Sequence, residues 1–133
     1  MLRIEYQAVP RADFAVGTSR FSMDLNMRFY SDQDLMLSVS GIHLECIFDL
    51  RNWLISDFFY QKHFLMSDAS YDAPIIVGLI HVPHEQGWRI LGHQQENQYS
   101  VFPRIFSESE MHEGLTQFFQ EIRADLRSHE VYL

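Results

Sequence analysis

Between residues 21 and 29 the chain alternates without a break, with Phe21, Met23, Leu25, Met27 and Phe29 standing between Ser22, Asp24, Asn26 and Arg28. A period of two sends one set of side chains to a core and the other to water, as a half-buried β-strand requires. The period returns in Leu35, Leu37 and Val39, then slips by one, so that Ile42, Leu44, Cys46 and Phe48 become the apolar set. A two-residue hairpin loop at Ser40 and Gly41 accounts for the slip. It pairs Val39 with Ile42, Leu37 with Leu44 and Leu35 with Cys46 on one face. With an earlier turn near Ser31, Asp32 and Gln33, this stretch reads as an antiparallel meander with one dry face. Its wet face carries Asp24, Asn26, Arg28, Ser38, His43 and Glu45.

The rest of the chain supplies elements to cover that dry face. Leu2, Ile4 and Tyr6 alternate with polar residues and predict a first strand suited to a sheet edge, followed by a connection over 10–20. Asp49 is a good helix N-cap, and Leu50, Trp53, Leu54 and Phe58 then fall at helical spacing, predicting a helix over 50–60. A short strand over 64–66, an exposed loop over 67–74 and a strand over 75–82 buried on both faces come next. Turns over 83–87 and 94–97 frame a strand with Trp88 and Ile90, and a last strand over 99–106 is interrupted by Pro103, as at an edge or bulge. Ser107 and Glu110 have the spacing of a capping box. Met111, Leu115, Phe118, Phe119, Ile122 and Leu126 then form one apolar stripe of an amphipathic helix, with acidic residues on its remaining faces. The expected fold is α+β over residues 1–133 as a single domain: a mainly antiparallel sheet built from two meanders, with two helices packed on one face.

Charge narrows the function. Eighteen acidic residues outweigh ten basic ones for a net −8, and the arginines are scattered singly, which disfavours direct nucleic-acid binding and favours a basic protein partner. Cys46, the only cysteine, falls on an apolar face and reads as a small buried hydrophobe. The longest apolar run, 74–80, is too short to span a bilayer and no signal peptide opens the chain, so a cytoplasmic location with no membrane contact is expected.

No nucleophile elbow, phosphate-cradling glycine loop or CxxC occurs, so no catalytic residue, cofactor or metal is assigned and an enzyme is not expected. His81, His84 and His93 lie close enough in the predicted hairpin to suggest a small metal site, but surface turn histidines explain them more simply. The acidic turns explain themselves as turn chemistry. Tyrosines beside acidic loops suit a protein-binding surface, and the candidate partner-binding residues are Asp68, Tyr71, Asp72, His84, Glu85 and Glu96.

One acidic domain, a meander running into Asp49-Leu50-Arg51-Asn52-Trp53-Leu54, no catalytic set and an acidic C-terminal helix together resemble small bacterial immunity proteins of polymorphic or contact-dependent toxin systems. The resemblance is architectural and carries over no functional residue by position. It implies a tightly held toxin partner, often a basic nuclease, bound through complementary charge. The competing classes are an acidic nucleic-acid mimic that inhibits a DNA-binding complex, and a small ligand- or metal-binding protein with a pocket at His81, His84 or His93. A homo-oligomer joined through exposed strand edges is also open to this sequence.

Overall fold

The computed structural model describes residues 1–10, 23–56, 62–67, 75–95 and 98–128. The expected α+β architecture is what it shows. Strands β1 (Leu2–Pro10), β2 (Met23–Ser31) and β3 (Asp34–His43) form one antiparallel sheet in that order, and helix α1 (Leu44–Ile55) follows directly. Strands β4 (Phe64–Met66), β5 (Val77–Val82), β6 (Gly87–Gln95) and β7 (Gln98–Val101) form a second meander, to which β8 (Phe106–Ser107) adds beside β6. Helix α2 (Glu108–Ser128) closes the described chain.

The alternation of β2 does what it predicts. Leu25, Met27 and Phe29 are buried, while Asp24, Asn26 and Arg28 lie on the opposite face. The slip after Val39 has a different cause from a hairpin. Strand β3 runs straight through Ser40 and Gly41, and its register against β2 jumps from Met27↔Val39 to Leu25↔Ile42. Ser40 and Gly41 together oppose Asn26, so the slip is a β-bulge that keeps both Val39 and Ile42 in the core. Gly41 adopts φ +73°, and its N–H donates to Asn26 Oδ1 at 3.2 Å. An added Cβ there meets nothing within 4 Å, so the cost of replacing it is conformational alone. Gly41→Val should therefore lower stability by about 1–2 kcal/mol, read from the urea midpoint.

A second irregularity, between Phe29↔Leu37 and Tyr30↔Leu35, turns Leu35 outward, where it is 54% exposed rather than on the dry face. The strand expected over 42–48 is instead the start of α1. Leu44, Ile47, Leu50 and Leu54 recur at helical intervals and are all buried with Cys46, whereas a strand would send Ile47 to water. The period-two pattern of Leu44, Cys46 and Phe48 coincides with a helical one over so short a run. Asp49 is therefore an exposed residue inside α1 and not its cap. His43 occupies the N-cap, and its side chain makes no capping bond to the helix. The helix stops at Ile55, where both the N–H and Oγ of Ser56 donate to the Trp53 carbonyl; of the expected extension to 60, residues 57–60 lie outside the described residues.

In the second sheet β5 is buried on both faces only from Val77 to Leu79, and its end opens toward solvent. Pro103 separates two strands along the same side of β6, which pairs Leu91 with Val101 and Trp88 with Phe106. Helix α1 lies against β2, β3 and β4, α2 lies against β1, β6 and β8, and the helices touch each other. Trp53 binds these layers, with its ring 5.5 Å from that of Phe64 and 5.4 Å from that of Trp88. The buried apolar residues among those described, including every residue of the α2 stripe, form one cluster. Among the described residues no helix is long and apolar enough to cross a membrane.

Candidate functional site

Helix α2 is fixed at its start by chemistry legible in the sequence. Ser107 Oγ accepts from the Glu110 N–H at 3.1 Å, and a Glu110 carboxylate oxygen accepts from the Ser107 N–H at 3.2 Å, which is a reciprocal capping box. Glu110 also meets the Met1 ammonium at 3.1 Å and the Arg104 guanidinium at 2.9 Å, and the same ammonium bonds Asp32 at 2.8 Å. These contacts gather the start of β1, the β2–β3 turn and the head of α2. The ammonium holds the Asp32 carboxyl below the usual carboxylate range. Partial burial pushes Glu110 up, but the ammonium, the Ser107 N–H and Arg104 outweigh it, and the net shift is downward. Carboxyls lowered in the folded state stabilise it above their unfolded-state pKa and lose that contribution as pH falls through the folded-state value. Stability is thus expected to drop on the acid side of about pH 4, measured by urea midpoints through an acid series. Glu110→Gln should flatten part of that slope.

Farther along, α2 touches β1 at two places and stands off between them. At the first, Gly114 lies so close to Leu2 that an added Cβ would sit 2.7 Å from the Leu2 carbonyl oxygen. At the second, the Tyr6 hydroxyl donates to the Asp125 carboxylate, and the Tyr6 ring stands edge-on to Phe118 at 5.8 Å. Burial first, and then the bond to Asp125, raise the Tyr6 hydroxyl well above its ordinary pKa, so it remains a donor. Between these contacts runs a groove of about 230 Å³ lined by Arg3, Ile4 and Glu5 of β1 and by Gly114, Gln117, Phe118 and Glu121 of α2.

The flank of α2 beside this groove is acidic. Glu110, Gln117, Glu121 and Asp125 are 7, 4 and 4 residues apart and share an arc of about 80° at 3.6 residues per turn. Arg127 lies about 80° and Arg123 about 120° beyond the nearer edge of this arc around the same axis. The polar face of the three-stranded sheet is different. It gathers Asp24, Asn26, Arg28, Ser38 and His43, whereas Glu45, expected on the same face, stands in the first turn of α1 beside His43; a shallow hollow of about 150 Å³ is bordered by Glu5, Gln7, Asn26, Arg28, Ser38 and Ser40. Its charges answer one another. Arg3 pairs with Glu5 and lies over the Tyr30 ring at 5.1 Å, and His43 sits 3.9 Å from both Asp24 and Glu45. Arg28 stands across the ladder from Glu5. That face is nearly neutral, and the excess of negative charge on this side of the protein belongs to α2.

The expected loop site is only partly in view. Asp68, Tyr71, Asp72 and Glu96 lie outside the described residues. His84 and Glu85 sit on an exposed 3₁₀ turn over Pro83–Glu85, where Glu85 receives both bonds of an Arg89 guanidinium nitrogen at 3.0 and 3.2 Å. The His81 ring lies against the Trp88 ring at 4.6 Å, and the His81 backbone N–H donates to His63 Nδ1 at 2.8 Å. With Pro83, Gln86, Trp88, Ser107, Glu108 and Ser109 it lines an open groove of about 480 Å³. The side chain of His93 lies outside the described residues, and among those described no three His, Cys, Asp or Glu side chains gather as a metal site. The α2 flank was visible in the sequence only as acidic residues on the helix's remaining faces. The spacing of Glu110, Glu121 and Asp125, 11 and 4 residues apart, is the signal that unites them. Compared with known proteins, the chain matches no family model, no curated protein and no solved structure.

Proposed function

We propose that this chain is a protein-binding inhibitor that neutralises a basic protein partner, in the manner of an immunity protein holding a cognate toxin such as a basic nuclease in the cytoplasm. One observation carries the reading: the carboxylates of Glu121 and Asp125 lie along a single helix flank beside an open strand, below a Glu110 already paired with the Met1 ammonium and Arg104, in a protein of net charge −8. A field of one sign steers a partner of the opposite sign and rejects wrong ones. The hollows on this side, at about 150 and 230 Å³, are smaller than the roughly 300–1,000 Å³ of ordinary ligand sites, which supports a macromolecular partner. Purification of the chain from its native source at low ionic strength should recover one basic protein whose activity the chain suppresses. Ionic strength near about 1 M, where the Debye length is about 3 Å, should release it. Recovery of acidic or neutral partners alone contradicts the reading, and release by duplex DNA would mark a nucleic-acid mimic instead.

A second reading rests on the groove at His81 and Trp88, whose volume of about 480 Å³ falls within the ligand range. A fragment screen read by tryptophan fluorescence separates the two, since a protein-binding inhibitor needs no occupant there.

A further inference from the structure

The hydrogen bonding of β1 fixes which of its peptide groups are open. The Met1 carbonyl accepts from the Asp32 N–H at 2.8 Å, so Met1 faces β2. The β1–β2 register then runs unbroken from Leu2↔Ser31 to Pro10↔Met23. In an antiparallel ladder, residues alternate between turning both backbone groups toward the partner and turning both away. Odd-numbered residues therefore bond to β2, while Leu2, Ile4, Tyr6, Ala8 and Pro10 turn their backbone outward. Two observations agree with this phase. The Leu2 carbonyl points at Gly114, and Pro10, which has no N–H to give, falls in the outward set where it costs no ladder bond. Among the described residues no strand pairs with this outer edge, and at Ile4 it opens into the groove beneath Gln117 and Glu121.

We infer that the outer edge of β1 receives an extended, basic segment of the partner as an added strand, with its cationic side chains against the acidic flank of α2. This rests on the basic-partner reading above and gives it a binding mode. Backbone bonds to Ile4, Tyr6 and Ala8 would supply affinity, and Glu121 and its neighbours the selection for positive charge. Charge also decides against a second copy of this chain as the occupant. A two-fold contact between two β1 edges would bring two acidic α2 flanks together, and like charges there oppose association. Gly114 against the Leu2 carbonyl closes one end of the edge and Pro10 the other, which confines the added strand to the stretch from Ile4 to Ala8.

The test uses the full chain and two blocked octapeptides, one alternating arginine with valine and one alternating glutamate with valine. At low salt the arginine peptide should shift the amide resonances of Ile4, Tyr6, Ala8 and Glu121, and the glutamate peptide should shift none of them. Ala8→Pro removes an outward N–H at an exposed position without touching the ladder or the core, and should weaken the arginine peptide about fivefold. Glu121→Lys should weaken it about threefold, an effect that salt abolishes. If Ala8→Pro binds like the parent while Glu121→Lys does not, side-chain charge alone holds the peptide; strand addition is then overturned and the basic-partner reading stands. If neither peptide binds, both fail. Dimerisation that protects the same edge amides without any peptide overturns the proposal in favour of a second copy.

Discussion

Phe118→Ala is expected to remove about 3–5 kcal/mol of folding free energy, a large share of the roughly 5–15 kcal/mol that holds an ordinary domain together. Phe118 is fully buried, and its ring is edge-on to Tyr6 and lies 5.1 Å from Phe119. Truncation therefore leaves a cavity between β1 and α2 and frees the Tyr6 ring that α2 holds through Asp125. Equilibrium urea unfolding measures the loss, and a fall below about 1 kcal/mol would show that α2 packs elsewhere. The conservative Phe118→Leu should recover a substantial part of it, since most of the buried volume returns.

Gly114→Val should be the second severe change, at about 1–3 kcal/mol from overpacking. Glycine is a poor helix former, so at an unencumbered position valine would be expected to help. Here the added Cβ would stand 2.7 Å from the Leu2 carbonyl oxygen and 3.0 Å from the Leu2 Cβ and Cγ. The Leu2 backbone is held by the β1–β2 ladder, so the helix must move instead. The expected signature is a lower urea midpoint together with faster exchange of amides in the first turns of α2. A valine variant more stable than the parent would mean that helix and strand do not meet at this point.

Much of this fold was legible because several elements have only one way to hide their apolar residues. The stripe from Met111 to Leu126 and the capping box before it define α2, and the alternation of Leu25, Met27 and Phe29 defines β2. What misled was the junction after Val39. A slip in a period of two has two physical causes, a tight turn or a bulge, and Gly41 suits both, because each uses the left-handed backbone that glycine adopts freely. A turn there places Leu44, Cys46 and Phe48 in a strand, although Ile47 and Leu50 between and beyond them mark a helix. Leu35 went astray for a related reason, since the irregularity at Met36 has no marker residue of its own. The candidate surface was harder to see. Strand β1 was recognisable as an edge, but which of its peptide groups face out depends on a hydrogen bond to a residue 31 positions away. Likewise, the stripe of Glu110, Glu121 and Asp125 acquires meaning only once α2 is laid beside that edge.

Whether β1 offers an open edge under an acidic helix flank is tested most directly by amide hydrogen exchange, residue by residue. In the free protein, Arg3, Glu5 and Gln7, whose amides bond to β2, should exchange slowly, while Ile4, Tyr6 and Ala8 exchange faster. On addition of the basic partner or the arginine peptide, the faster set should slow and the slower set remain as it was. Uniform protection along β1 in the free protein, or an unchanged alternation with the partner bound, would contradict the account.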